Sequence, residues 1–107
     1  MAPDTLLSEL EHLVLLAVLR LGENAYAVTI REEISTVTRL KPLRGSIYVT
    51  LDRLEKKDYV TSRMGDPTPE RGGKARRYFR VTPAARQALR ASRAAFQKMW
   101  EGVETLR

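Results

Sequence analysis

The stretch Arg44-Gly45-Ser46-Ile47-Tyr48-Val49-Thr50-Leu51-Asp52-Arg53-Leu54-Glu55-Lys56-Lys57 constrains the fold more than any other part of the chain. Ile47, Leu51 and Leu54 recur at the helical period, so one stripe of this segment is expected to be buried. The opposite stripe, Ser46, Val49, Arg53 and Lys56, is small, polar or positively charged. Such a helix is held by a core on one side and offers the other to a polyanion, the physical profile of a helix that enters a DNA groove.

The charge is distributed to match. Across 107 residues the formal net charge is +6. Residues 1–40 are net −3, with 3 basic against 6 acidic side chains, whereas residues 41–80 are net +6, with 11 against 5. Residues 81–107 are net +3. The central helix and the segment after it therefore carry a focused basic patch, which suits a phosphate backbone as partner. The length suits one domain, or one domain with a helical extension.

The segments around the central helix have clear punctuation. Residues 5–21 read as a first helix, with Asp4, Thr5 or Ser8 as cap, Ser8 and Glu11 spaced as a capping box, and Gly22 as terminator. Its centre, Leu13 to Leu19, is apolar almost all the way round, so it needs partners on two sides, most simply its own domain and a second subunit. Asn24 is the expected cap of a second helix whose apolar stripe is Tyr26 or Ala27, Ile30, Ile34 and Val37. Pro42 separates it from the third helix. Two strand candidates come next, 59–64 and 75–81, joined by a loop rich in Gly, Pro and Asp. Thr82-Pro83 marks the start of a last helix. The order is that of a winged helix-turn-helix: mainly α with a small β-hairpin, the hairpin loop being the wing. In the last helix Leu89, Ser92, Phe96, Met99, Val103 and Leu106 step by 3, 4, 3, 4, 3, a short heptad seam expected at a dimer interface. Residues 1–82 are thus read as the DNA-binding domain and 83–107 as a C-terminal dimerisation helix.

The chain resembles the PadR family of bacterial transcriptional regulators, in its short subfamily with a single C-terminal helix. The resemblance rests on Ser8-Glu9-Leu10-Glu11 leading into Leu15 to Leu19, Tyr26 to Ile30, Gly45 to Glu55, Glu70-Arg71-Gly72-Gly73-Lys74 and Arg77 to Pro83. Departures from the family pattern are Ala27, Asp58 and Ala85, each where a glycine is usual; aspartate can take the left-handed backbone conformation at some cost. The resemblance implies a homodimeric, usually repressing protein that binds an inverted-repeat operator, often beside a transporter or stress-response gene.

Candidate DNA contacts follow from side-chain chemistry. Arg44 and Arg53 can donate two hydrogen bonds to a guanine, Ser46 and Thr50 can bond to bases or phosphates, and Val49 can touch a thymine methyl. Tyr48 is either a phosphate contact or packing, and the resemblance favours contact. Lys41 is expected on the DNA backbone, and Arg71 and Lys74 along phosphates or in the minor groove, with Arg76 or Arg77 in support. Some short members of the family resemble drug sensors. That likeness makes Phe96, Met99 and Trp100, joined by Val14 or Val18, a candidate site for a small hydrophobic or planar effector between subunits, although simple packing explains the same stripe.

The composition argues against other classes. With one histidine, His12, inside an apolar helix, and no cysteine, the chain lacks the convergent groups of an enzyme or a metal site. No cofactor is expected. The apolar run of helix 1 is too short to span a membrane, and a cytoplasmic location is expected. The alternative function is a winged-helix module that docks on another protein without reading DNA; Arg44, Arg53, Arg71 and Lys74 on one surface are superfluous to that role.

Overall fold

A computed structural model describes residues 6–66 and 75–105. The element order is α1 (Glu9–Leu21), α2 (Ala27–Thr38), α3 (Arg44–Lys56), β1 (Val60–Met64), β2 (Arg77–Val81) and α4 (Pro83–Trp100), with short 3₁₀ turns at Gly22–Asn24 and Val103–Thr105. The architecture is mainly helical with one antiparallel hairpin, as the sequence pattern predicts.

Local chemistry explains most boundaries. At the head of α1 the Ser8 hydroxyl accepts from the Glu11 amide (3.1 Å) and the Glu11 carboxylate accepts from the Ser8 amide (2.9 Å), a reciprocal cap that satisfies two otherwise orphan donors. Gly22 ends the helix at φ 60°, a conformation open to glycine without a Cβ clash. The start of α2 differs from expectation. Asn24 lies in the 3₁₀ turn, and Tyr26 is the N-cap residue. Thr29 supplies the side-chain bonds, accepting from the Tyr26 amide (3.0 Å) and donating to the Asn24 carbonyl. Ile30 and Ile34 are buried but Val37 is exposed, because α2 runs past the edge of the core.

The end of α3 is a Schellman turn. The Tyr59 amide reaches the Leu54 carbonyl (2.9 Å) and the Asp58 amide reaches the Glu55 carbonyl (3.0 Å). Asp58 sits at φ 60°, the left-handed geometry that its departure from glycine requires. Its carbonyl also accepts from the Thr82 hydroxyl (2.7 Å), so one residue ties the end of α3 to the start of α4. Thr82 in turn accepts from the Ala85 amide (3.2 Å), with Pro83 in the first turn of α4.

The hairpin pairs Val60 with Val81, Ser62 with Phe79 and Met64 with Arg77. Phe79 further donates its amide to the Ala25 carbonyl (2.9 Å), which fastens the sheet to the entry of α2. Gly65 continues the pairing through the Arg76 carbonyl (2.7 Å), and a Cβ there would stand 2.6 Å from the Tyr78 ring. The core is one cluster: Val14, Leu15 and Val18 of α1 against Ile30 and Ile34, Ile47, Leu51 and Leu54, the strand residues Val60, Phe79 and Val81, and Ala85 and Leu89 of α4. Each fully buried Leu or Ile contributes about 1.5–3 kcal/mol relative to exposure.

Glu11 does two jobs. Besides capping α1 it accepts from Lys57 Nζ at 2.7 Å, joining the first turn of α1 to the end of α3. Its side chain is 3 % exposed. Burial pushes its pKa up, but the Lys57 and Ser8 hydrogen bonds and the Lys57 charge together outweigh that, and the net shift is downward.

In α4, Leu89 and Ser92 are buried against their own domain, which corrects the reading of these two positions as inter-subunit contacts. The far half of the helix, with Phe96, Met99 and Trp100, is exposed. The seam also breaks: α4 ends at Trp100, Gly102 turns the chain at φ 79°, and Val103 lies in the following 3₁₀ turn. Leu106 lies outside the described residues.

Candidate nucleic-acid interface

The helix-turn-helix is formed by α2, the linker 39–43 and α3. Arg31 Nε donates to the Pro42 carbonyl (2.7 Å) and the Ser35 hydroxyl donates to the Leu40 carbonyl (2.9 Å), so α2 side chains fix the linker that sets the entry of α3. Ile47, Leu51 and Leu54 then hold α3 against the core.

Of the positions expected on the outer face of α3, Arg44, Tyr48, Val49 and Arg53 are exposed and Ser46 is half-buried. Lys41, in the linker, is exposed as well. Thr50 is the exception. At 4 % exposure it lies inside, one turn from Ile47 and Leu54, so its side chain cannot meet a base while the fold is intact. Arg71 and Lys74 lie outside the described residues. Arg76 is half-buried, and its guanidinium carbon stands 4.5 Å from the Tyr26 ring centroid, so this side chain packs at the base of the hairpin. Tyr26 also meets Tyr78 edge-on at 5.5 Å, and Arg63 covers Tyr78 at 4.8 Å. The resulting stack joins the entry of α2 to both strands and fixes the direction in which the hairpin leaves the domain.

Between the start of α2, α3 and β2 runs a groove of about 480 Å³, floored by Tyr26, Val28, Tyr48, Val49 and Phe79. Two acids line its α3 wall, Asp52 and Glu55. Glu55 is fully engaged: Arg77 donates to it at 2.6 Å and the Ser62 hydroxyl at 2.7 Å. Among the described residues Asp52 has a loose exposed pairing with Lys56, at 3.7 Å. Gly45, Val49, Asp52 and Lys56 succeed each other by 4, 3 and 4 along one exposed line of α3.

The positions expected to meet an effector divide. Val14 and Val18 are in the core, at 0 % and 3 % exposure, because that face of α1 points inward. They cannot line a surface cavity. The exposed side of α1 presents Leu16 instead. A second groove of about 460 Å³ lies between α1 and α4, with His12, Leu16, Leu19 and Leu89 in its floor and Arg86, Arg90 and Arg93 at its edge. Burial lowers the His12 pKa, favouring the neutral ring. Among the described residues there is no cluster of His, Cys, Asp or Glu that suits a metal ion. No single described helix is long and apolar enough to cross a membrane.

A basic, core-supported α3 behind a helix and a linker, flanked by a hairpin, defines the winged helix-turn-helix class. The chain matches the transcriptional regulator PadR-like family over residues 15–91, well over half its length. It belongs to that family of DNA-binding regulators. Solved structures agree. A PadR-like transcription factor from Bacteroides fragilis is 25 % identical with a TM-score of 0.71, covering 92 % of this chain and 89 % of its own. A PadR family regulator from Eggerthella lenta is 26 % identical with a TM-score of 0.71, covering 92 % and 85 %. A transcriptional regulator from Clostridium thermocellum shares the fold at 20 % identity, with a TM-score of 0.75 and 90 % of each chain covered. No curated protein matches the sequence.

Proposed function

We propose that the chain is a sequence-specific repressor that works as a homodimer on an inverted-repeat operator, α3 lying in the major groove and the hairpin loop on the flanking backbone. The observation that carries this reading is the two-sidedness of α3: Ile47, Leu51 and Leu54 are buried, while Val49 and Arg53 stand exposed on the other side and Arg44 is exposed at the first residue of the helix. Arg44 and Arg53 suit guanine, and Val49 suits a thymine methyl. Lys41 and the N-terminal amides of α3 suit phosphate. Arg71 and Lys74 keep their assignment to the wing on charge alone.

Dimerisation is supported by the exposed half of α4. Phe96, Met99 and Trp100 form an apolar end that is exposed among the described residues, with Met99 at 76 % exposure. The α1–α4 groove beside it presents Leu16 and Leu19. The proposed division is therefore 1–82 for DNA and 83–107 for pairing, with the first half of α4 also packed on the DNA-binding domain. An effector, if one relieves repression, would meet Phe96, Met99 and Trp100 rather than Val14 and Val18. Repression of a neighbouring transporter or stress-response gene follows from the family resemblance alone.

A gel shift with DNA from upstream of the protein's own gene, against a scrambled duplex at moderate salt, tests the reading. Selective retardation of the upstream fragment is expected. Equal retardation of both, or of neither, would defeat it and leave the protein-docking role.

A further inference from the structure

The outermost line of α3 holds two residues that the free protein gives no evident reason to place there. Gly45 lies in the first turn of α3, and a Cβ placed there would meet nothing within 4 Å, so neither packing nor backbone geometry in the free protein calls for glycine. Asp52 is among the weaker helix formers, and its side chain is 62 % exposed in the most basic part of the chain. Its partner Lys56 is 81 % exposed and 3.7 Å away, a solvated pair too weak to account for the choice. Against a phosphate surface a carboxylate is repelled. It becomes favourable where a hydrogen-bond donor waits in the groove, and cytosine N4 presents that donor to Asp or Glu.

Resting on the operator reading above, we propose that Asp52 is a specificity-determining residue. Its carboxylate accepts from the exocyclic amine of a cytosine in each half-site, and the absent side chain at Gly45 lets the helix sit deeply enough for this contact. Val49 lies one turn earlier on the same line, about 4.5 Å along the helix axis. That offset places its methyls over a neighbouring base pair. Lys56, one turn later, is free to exchange its loose pairing with Asp52 for a phosphate oxygen. Glu55 does not compete for this role, since Arg77 and Ser62 hold both its oxygens.

The test is selection of preferred sites from a randomised duplex pool by the wild-type protein and by Asp52→Ala. Asp52 is exposed, so the variant is expected to fold, and circular dichroism verifies that. The wild type should prefer cytosine at one position per half-site by about 10- to 100-fold. In Asp52→Ala that preference should vanish while the other positions keep theirs. Binding to scrambled duplex should rise in the variant, because a carboxylate repelled by the phosphates is removed. Uniform tightening of every sequence with base preferences unchanged would overturn the assignment, as would unchanged binding throughout or a wild-type preference for another base at the affected position. A wild-type protein that selects no sequence at all would overturn the operator reading itself, and this assignment with it.

Discussion

Replacing Glu11 tests the claim that one buried carboxylate couples the start of α1 to the end of α3. The side chain accepts from Ser8 at 2.9 Å and from Lys57 at 2.7 Å. Loss of a helix cap costs roughly 1 kcal/mol. The Lys57 end of the ion pair is 44 % exposed, so solvent screening limits what the pair adds to about 1 kcal/mol. Removing a buried carboxylate also lifts its desolvation cost, so Glu11→Ala is expected to lose about 1–2 kcal/mol in all. Glu11→Gln keeps an acceptor for Ser8 and should lose about half as much. Urea unfolding at fixed protein concentration measures both. The sign with pH follows from the lowered pKa. The folded state binds the Glu11 proton less readily than the unfolded chain, so the contribution is complete above the ordinary value of 4.5 and disappears as pH falls through the lowered folded value. The gap between wild type and Glu11→Gln should therefore close in acid. A gap within error at pH 7, or one that stays constant down to pH 2, would refute the coupling.

Three further substitutions have definite signs. Asp58→Gly should stabilise by about 0.5–1 kcal/mol, because glycine takes φ 60° without the Cβ penalty; thermal unfolding measures it. Ser92→Ala should be neutral or stabilising by up to about 1 kcal/mol, since the buried hydroxyl has no hydrogen-bond partner among the described residues; a loss above 1 kcal/mol in urea would mean that the hydroxyl is satisfied. Gly45→Ala should raise the melting temperature, through about 0.4–1 kcal/mol of unfolded-chain entropy removed at a position where a Cβ meets nothing, and weaken operator binding; tighter binding measured by anisotropy would contradict close approach at that residue.

The fold was legible where the controlling physics is local. Ser8 with Glu11, Thr82 with Pro83, and Ile47, Leu51 and Leu54 each act within a turn or two of the chain, and the structure holds each as its spacing predicts. The errors share a different cause. The spacing of Leu89, Ser92 and Phe96 states that a helix face is apolar or small, but not whose surface covers it. The domain itself covers the first two and leaves the third in solvent. Val14 and Val18 failed as ligand contacts for the same reason, since a helix apolar on every side does not announce which side is innermost. Thr50 lies between the buried and exposed arcs of α3, where residue type is a poor guide to orientation. Asn24 is a good cap by composition, yet Thr29 reaches back from inside α2 and moves the boundary to Tyr26. Asp52 and Gly45 carry no positive charge to mark them, although their spacing along α3 places them on its outermost line.

The central claim, that the outer face of α3 reads base sequence, is tested most directly by the ratio of operator to scrambled-duplex affinity at one fixed salt concentration. The ratio is compared between the wild type and a variant carrying Arg44→Ala and Arg53→Ala. The wild type is expected to show a ratio of about 10³ or more, and the variant should lose most of it while keeping its melting temperature. A wild-type ratio near one, or a variant that keeps the wild-type ratio, would contradict it.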